Sequence, residues 1–303
     1  MSQTTPTQTT QTQLITIQVE QQRQKLRSER LGTVLRALGR SLFNTVITLV
    51  IVIGLWQLIV SFGGISPYVA KGPADVWQFL FVDAPDVRPD DTAAIHRAFL
   101  IGLLVATLQD AALGFVVGML IATVLAVSFS LSRTVEASVM PLALLLRTIP
   151  LVSIAPVIFL LTGRGTAASV AVIGTIVVLF PALASVLFGL SRASKESLDL
   201  VHVYGGGNLT RLIKVSIPGA GPSLFAAARL SVPGAVTGAL LAEWLSTGTG
   251  IGGNIVKFNA SAQFDELWAS VAIITLVTLL LYNVVQIFEN LVLARMGMTR
   301  TLQ

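Results

Sequence analysis

The side chains that most often perform covalent or metal chemistry are scarce in this sequence. It contains no cysteine and only two histidines, His96 and His202, which lie far apart along the chain. A thiolate nucleophile and an iron–sulfur cluster are therefore excluded, and a metal site is not expected. The sequence also lacks the G-x-x-x-x-G-K-[ST] pattern, so it has no phosphate-binding loop with which to use ATP by itself.

A glycine-rich stretch, Gly248–Gly253, fits the pattern G-x-G-x-x-G. That pattern binds a dinucleotide only inside a strand–helix–strand unit, and no such unit surrounds it here. We therefore reject a dinucleotide site. The glycines instead predict a re-entrant loop at the outer boundary of a membrane.

Three charged residues fall within or at the end of long apolar segments: Arg147, Arg229 and Glu243. A charge near the centre of a bilayer costs about 2.5–3.5 kcal/mol on insertion scales, so both arginines should face protein or water. They could line a cationic cavity that attracts an anionic substrate, or they could extend to the nearby cytoplasmic end of the span. Glu243 could line an outer gate or lie at the membrane interface.

The composition indicates that lipid is the main solvent of this chain. Of 303 residues, 53% are hydrophobic and 12% are charged, whereas a soluble domain carries about 25% charged residues. Irregular backbone is costly in lipid, so the predicted fold class is an all-α integral membrane protein. Six apolar segments are each long enough to cross a hydrocarbon core of about 30 Å: Phe43–Phe62, Ala111–Phe129, Val139–Leu161, Ala168–Leu190, Ser223–Glu243 and Trp268–Phe288.

The segments outside this membrane domain (43–295) differ in composition. Residues 1–22 are rich in Gln and Thr and are predicted to be a disordered tail. Residues 23–42 are basic, with leucines at helical spacing, and predict an amphipathic interfacial helix. Residues 296–303 are predicted to be a C-terminal tail. Lys and Arg are concentrated in the segments on the side of the N-terminus, which predicts that both termini are cytoplasmic. The net charge of +5 is explained by this distribution, so we expect no nucleic-acid partner.

Prolines are expected to interrupt three of the spans. Pro150 and Pro156 fall in the third segment, Pro181 in the fourth and Pro233 in the fifth. Proline removes a helical hydrogen bond and kinks or breaks a helix. Such breaks either serve helix packing or line a transport path, where water or neighbouring groups satisfy the freed carbonyls.

The long loop 191–222 between the fourth and fifth segments has the pattern of two short helices around a turn. Residues 193–204 favour a helix, and Gly205 with its two following glycines forces a turn. Asn208 is suited to cap a second helix, which Pro218 is expected to end. This element would lie across the cytoplasmic end of the bundle and could pass a push from a soluble partner to the fourth and fifth spans.

The same loop contains Asp199-Leu200-Val201, then Gly205, then Val215-Ser216-Ile217-Pro218. This pattern resembles the cytoplasmic "EAA" loop of type I ATP-binding-cassette (ABC) importer permeases, which depend on an extracytoplasmic binding protein. That family has Glu-Ala-Ala, a glycine and Ile-x-Leu-Pro at the same spacing. Leu146–Pro150, Ala155-Pro156 and the stretch from Ala242 to Gly252 look like the subgroup that imports sulfonates, taurine, nitrate, bicarbonate or pyrimidine precursors of thiamin.

This resemblance implies a multi-pass permease subunit of a bacterial inner membrane, which is not an enzyme. Two copies would form the pore, and two cytoplasmic subunits would bind and hydrolyse ATP with magnesium. The binding protein would deliver a small anion, and the alternative cargo is a neutral pyrimidine precursor. An ion-coupled secondary transporter is a less expected function. The expected translocation path includes Arg147, Pro150, Pro156, Arg229 and Glu243. The expected contacts with the ATPase are Asp199, Leu200, Val201, Tyr204, Gly205, Arg211, Ile217 and Pro218.

Overall fold

The computed structural model describes residues 45–83 and 91–295, together with the single residues Gly39, Phe43 and Pro89. The predicted tails (1–22 and 296–303) lie outside these residues, as does the predicted interfacial helix apart from Gly39. Contacts divide the chain into two units, residues 1–51 with 290–303, and residues 52–289. The packing described below lies within the second unit.

The long helices are apolar enough to cross a membrane, and the all-α membrane fold is confirmed. Five helices are long and apolar enough to span a membrane, judged by length and composition alone. A sixth span results if a pair of helices bent by 109° is counted as one. No strand occurs in the ranges that the structure describes. The five are α1 (Thr45–Phe62), α3 (Ala93–Leu131), α6 (Ala167–Ser191), α10 (Gly221–Ala242, whose span continues to Ser246) and α12 (Phe264–Arg295); the bent pair is α4 (Arg133–Thr148) and α5 (Leu151–Thr162).

Shorter helices connect these spans. One lies between α1 and α3, a group lies between α6 and α10, and another group lies between α10 and α12. They are α2 (Pro73–Phe81), α7 (Lys195–Val203), α8 (Asn208–Arg211), a wide π-type turn (Leu212–Ser216), α9 (Ile217–Gly219), a second π-type turn (Glu243–Thr247) and α11 (Gly250–Ala260).

Glycines bring α3, α6 and α10 into close contact at the centre of this unit. A Cβ added to Gly114 of α3 would lie 2.7 Å from the Cα of Gly174 of α6, and one added to Gly238 of α10 would lie 3.0 Å from the same atom. Small residues allow this approach, since helices in lipid associate largely through close packing. Ala122 and Ala182 continue the contact toward α7–α9 and are completely buried. The three helices therefore form a tightly packed block from which the connecting segments extend.

The expected interruptions at Pro156, Pro181 and Pro233 are wrong, because these prolines lie inside α5, α6 and α10. The break occurs only at Pro150, where α4 ends with the bond from Ile149 N to Leu145 O and the chain turns by 109°. A proline inside a membrane helix loses one hydrogen bond, which neighbouring groups can compensate. The third predicted span is consequently two helices at a steep angle.

The second predicted span, Ala111–Phe129, lies inside a longer helix. The apolar segment begins at Ala111, but α3 begins at Ala93 and runs for 39 residues. Neither proline nor a glycine turn interrupts residues 93–131, so the polar pair Gln109 and Asp110 interrupts the apolar pattern without ending the helix. The apolar pattern therefore located the membrane segment but not the start of its helix.

Candidate functional site

The segment between α6 and α10 forms two helical arms joined by a glycine turn. α7 begins after Ser194, whose Oγ accepts a hydrogen bond of 3.2 Å from Ser197 N. After α7, Gly205 takes a φ of +77°, a left-handed conformation that favours glycine. Gly206 N then donates to Val201 O at 2.8 Å, which folds the turn back on the first arm.

Two details of this segment differ from the sequence-based expectation. Asn208 does not cap the second arm; Gly207 occupies the cap position and Asn208 is the first helical residue. Pro218 does not begin a long break in helical structure either, because α9 extends to Gly219 and α10 begins at Gly221. Proline is tolerated in the first turn of a helix, where its missing N–H is not needed, and Pro218 holds that position in α9.

The two arms are anchored on one side and apolar on the other. Leu212 and Ser216 are buried, and Leu212 packs in the same cluster as Leu183 and Leu190 of α6. On the other side, large apolar side chains are exposed. We call these residues the α7–α9 face: Leu200, Val203 (82% exposed), Tyr204 (84% exposed), Leu209, Ile213 and Ile217.

The remaining residues of the predicted ATPase contact lie on or beside this face. Asp199, Gly205 and Pro218 are exposed, whereas Val201 and Arg211 are half-buried. The sequence match therefore selected residues that are mostly accessible from outside the helical block.

A groove of about 380 Å³ lies at the bend between α4 and α5 and is closed on one side by α6. The guanidinium carbon of Arg147 lies 4.4 Å from the centre of the Phe180 ring. Phe180 is the fourteenth of the 25 residues of α6, so this contact holds the cation at mid-span. The alternative in which Arg147 extends to the end of its span does not fit this position. The other residues that line the groove are Leu146, Ile149, Pro150, Leu151, Ile176, Val177 and Pro181.

Arg229 occupies a different environment, between α10 and α12. Its Nη1 lies 3.5 Å from Oε2 of Glu289, and the two side chains are 15% and 2% exposed. Its guanidinium carbon lies 5.7 Å from the centre of the Tyr282 ring. A buried carboxylate therefore compensates this cation, a partner that the sequence analysis missed although Glu289 is an acidic residue inside an apolar helix.

Glu243 is completely buried at the end of the unit opposite α7–α9. Its Oε2 accepts hydrogen bonds from Thr107 Oγ1 at 3.0 Å and from Gly252 N at 2.8 Å. The side chain of Glu243 therefore faces protein rather than lipid or solvent. We call this end of the unit, comprising residues 163–166 and 243–263, the distal end.

Comparison with known proteins assigns this arrangement to a family. The family described as "Binding-protein-dependent transport system inner membrane component" matches residues 114–298. The chain belongs to this family. Its members work in ABC importers with an ATPase and a substrate-binding protein, so this chain is a membrane-spanning permease subunit of such an importer.

Individual relatives support the same assignment and differ in cargo. A probable ABC transporter permease protein of Haemophilus influenzae is 29% identical over 75% of this chain and 87% of its own length. The formylaminopyrimidine transport permease protein of Halalkalibacterium halodurans is 27% identical over 63% and 76%. A putative aliphatic sulfonates transport permease protein of Bacillus subtilis is 24% identical over 79% and 83%.

The permease does not bring its five predicted path residues together. Arg147 and Pro150 share the groove at the α4–α5 bend, while Pro156 lies on the exposed side of α5. Arg229 pairs with Glu289, and Glu243 belongs to the distal end. The structure therefore favours one short stretch, around Arg147 and Pro150, as the part of this set with open space beside it.

Proposed function

We propose that this permease imports a small anion, and that Arg147 lies on the path of that anion. The observation that carries the proposal is the position of its guanidinium group, at mid-span in a groove and stacked on Phe180. A cation facing lipid at this depth would cost about 2.5–3.5 kcal/mol. The groove therefore faces a water-filled path, which a second copy of the chain completes.

The proposed pore contains two identical permease subunits, so that each contributes one Arg147. Two cations at the same depth would attract an anion and exclude inorganic cations by charge. The similarity to an aliphatic sulfonates permease supports this cargo class. The apolar walls of the groove leave room for the carbon skeleton of an organic anion.

The α7–α9 face is the proposed docking site for the ATPase, on the cytoplasmic side of the bacterial inner membrane. In each of the two permease copies, the exposed apolar side chains of this face, Val203 and Tyr204 above all, would fill a pocket on one ATPase subunit. The two ATPase subunits would hold ATP and magnesium. On the buried side, Leu212 lies in one cluster with Leu183 of α6 and Ala227 of α10. Movement of the ATPase would therefore displace the two helices that continue into the pore.

Transport by the complete importer in proteoliposomes tests the role of Arg147. With ethanesulfonate as the probe, we expect Arg147→Gln to lower uptake at least tenfold while ATPase binding is retained. Arg192→Gln is the matched control, because Arg192 stacks on Phe188 at 4.7 Å but lies at the end of α6 beside α7. If the Arg147→Gln and Arg192→Gln variants both take up ethanesulfonate as fast as the parent protein, Arg147 does not lie on the path.

A neutral pyrimidine is the second candidate cargo, favoured by the similarity to a formylaminopyrimidine permease. The two candidates differ in their dependence on Arg147, since a neutral molecule gains nothing from its charge. This alternative would be established if the importer takes up a formylaminopyrimidine but no ethanesulfonate, and if that uptake is equal in the parent protein and in Arg147→Gln.

A further inference from the structure

The glycine-rich stretch at the distal end folds around a buried carboxylate. Gly250 has a φ of +57°, and a Cβ there would overlap the carboxylate of Glu243. A Cβ on Gly252 would lie 3.0 Å from Oε2 of Glu243, and one on Gly253 would overlap the backbone of Gly248. The spacing of these glycines is thus explained by the close passage of backbone around Glu243 rather than by a nucleotide.

Thr107 joins this turn to the central block. Its Oγ1 lies 3.0 Å from Oε2 of Glu243 and also accepts a hydrogen bond of 2.9 Å from Ile251 N. These contacts link residues that are 136 and 144 positions apart in sequence. Thr107 and Glu243 are both completely buried, so water does not compete for the hydrogen bond between them.

The same turn also contacts the loop that connects α5 to α6. Gly165 N donates to Ser246 Oγ at 2.7 Å, and Arg164 Nη2 donates to Leu245 O at 3.3 Å. α5 begins at the groove that contains Arg147, so the turn joins the helix beside the groove to α3 and α11. Separation of these elements at the distal end would require the bonds at the turn to break.

We propose that Thr107 and Glu243 are positioning residues that form a latch, holding the distal end of the permease closed while the opposite end carries the ATPase. The latch consists of the buried Thr107–Glu243 bond and the two bonds to the start of α11. It does not depend on the charge of the cargo, so the latch and the anion proposal succeed or fail separately.

Thiol labelling of the assembled importer tests the latch, since the natural chain contains no cysteine. The reporter is Ile251→Cys, because Ile251 is completely buried beside Thr107. Thr107→Val removes the hydroxyl at nearly constant shape, and Thr107→Ser is the matched control that keeps it. Asn259→Cys, on the exposed side of α11, reports the reactivity of an open site.

We expect Ile251→Cys to react with a water-soluble maleimide at least tenfold faster in the Thr107→Val background than with Thr107→Ser, because breaking the latch raises the population of the open state. Asn259→Cys should react equally in both. Glu243→Gln replaces the carboxyl group by an amide of the same size that keeps one carbonyl acceptor, and should give an intermediate rate; it replaces Thr107→Val if that variant does not assemble.

Two results would overturn the proposal. The first is an equal labelling rate of Ile251→Cys in the valine and serine backgrounds. The second is an equal acceleration at Ala182→Cys, which is buried in the α6 core away from the distal end. That outcome would mean that Thr107→Val loosens the whole protein, which a merely structural role predicts.

Discussion

The buried ion pair between Arg229 and Glu289 allows a quantitative test of the packing between α10 and α12. The perturbation is Glu289→Gln, which removes one charge and leaves the side-chain volume nearly unchanged. Arg229 is 15% exposed and Glu289 is 2% exposed, so little water is available to replace the lost partner. Removal of one member of a buried pair leaves an uncompensated buried charge.

The magnitude follows from the separation of 3.5 Å between Arg229 Nη1 and Glu289 Oε2. At an effective dielectric constant of about 20, two unit charges at this distance attract by about 5 kcal/mol before desolvation is counted. Breaking a buried pair by loss of one partner typically costs about 3–5 kcal/mol. We expect Glu289→Gln to lower the free energy of unfolding by an amount in that range.

The double variant Arg229→Gln with Glu289→Gln separates charge from packing. Without either charge, no uncompensated ion remains, so the double variant should be more stable than Glu289→Gln alone. The measurement is the free energy of unfolding in mixed micelles titrated with dodecyl sulfate, for the parent, both single variants and the double variant. If the double variant loses as much stability as the two single variants together, the two charges do not act as a pair.

Three further predictions concern packing and surface contacts. Gly174→Ala should lower the free energy of unfolding by about 1–3 kcal/mol, because its Cβ would lie 2.6 Å from the Cα of Gly114. Gly102→Ala should not lower it, because the space around Gly102 is open. Thermal unfolding of the two variants measures the difference. Val203→Asp should weaken ATPase binding at least tenfold, since it places a charge where apolar contact is expected; titration with the purified ATPase measures this, and unchanged affinity would contradict it. Lys71→Gln should change the free energy of unfolding by less than about 1 kcal/mol. Lys71 forms a 3.1 Å ion pair with Asp265, whose side chain is 42% exposed, so the pair is partly solvated. A larger loss of stability in a dodecyl sulfate titration would show that this pair is structural.

Apolar segments and loop pattern were sufficient to predict the membrane class and the helical segment between α6 and α10. Segment length and low charge determine whether a helix can cross lipid, and both are visible in one dimension. The start of α3 was not predictable in this way, because Gln109 and Asp110 lower the local hydropathy although they lie inside a helix. Hydropathy describes the solvent around a helix and does not locate its ends.

The role of the prolines could not be read from the sequence. Pro150 and Pro156 have the same local chemistry, yet only Pro150 coincides with a break between helices. Whether a freed carbonyl is compensated depends on neighbouring helices, which local sequence does not specify.

Partners of the buried charges were the least predictable part of the candidate site. Thr107 and Glu243 lie 136 residues apart, and Arg229 and Glu289 belong to different helices. Such pairs are formed by tertiary packing. A useful signal was nevertheless present, because Glu289 and Arg229 are charged residues of opposite sign inside apolar segments, and such residues usually require a partner.

Protection of a single thiol tests whether the α7–α9 face receives the ATPase. Val203→Cys should react readily with a water-soluble maleimide in the permease alone, because Val203 is 82% exposed. Addition of the ATPase subunits should suppress that reaction at least tenfold while Asn259→Cys at the distal end remains equally reactive. An unchanged rate at Val203→Cys, or protection of Asn259→Cys instead, would mean that the ATPase does not bind the α7–α9 face.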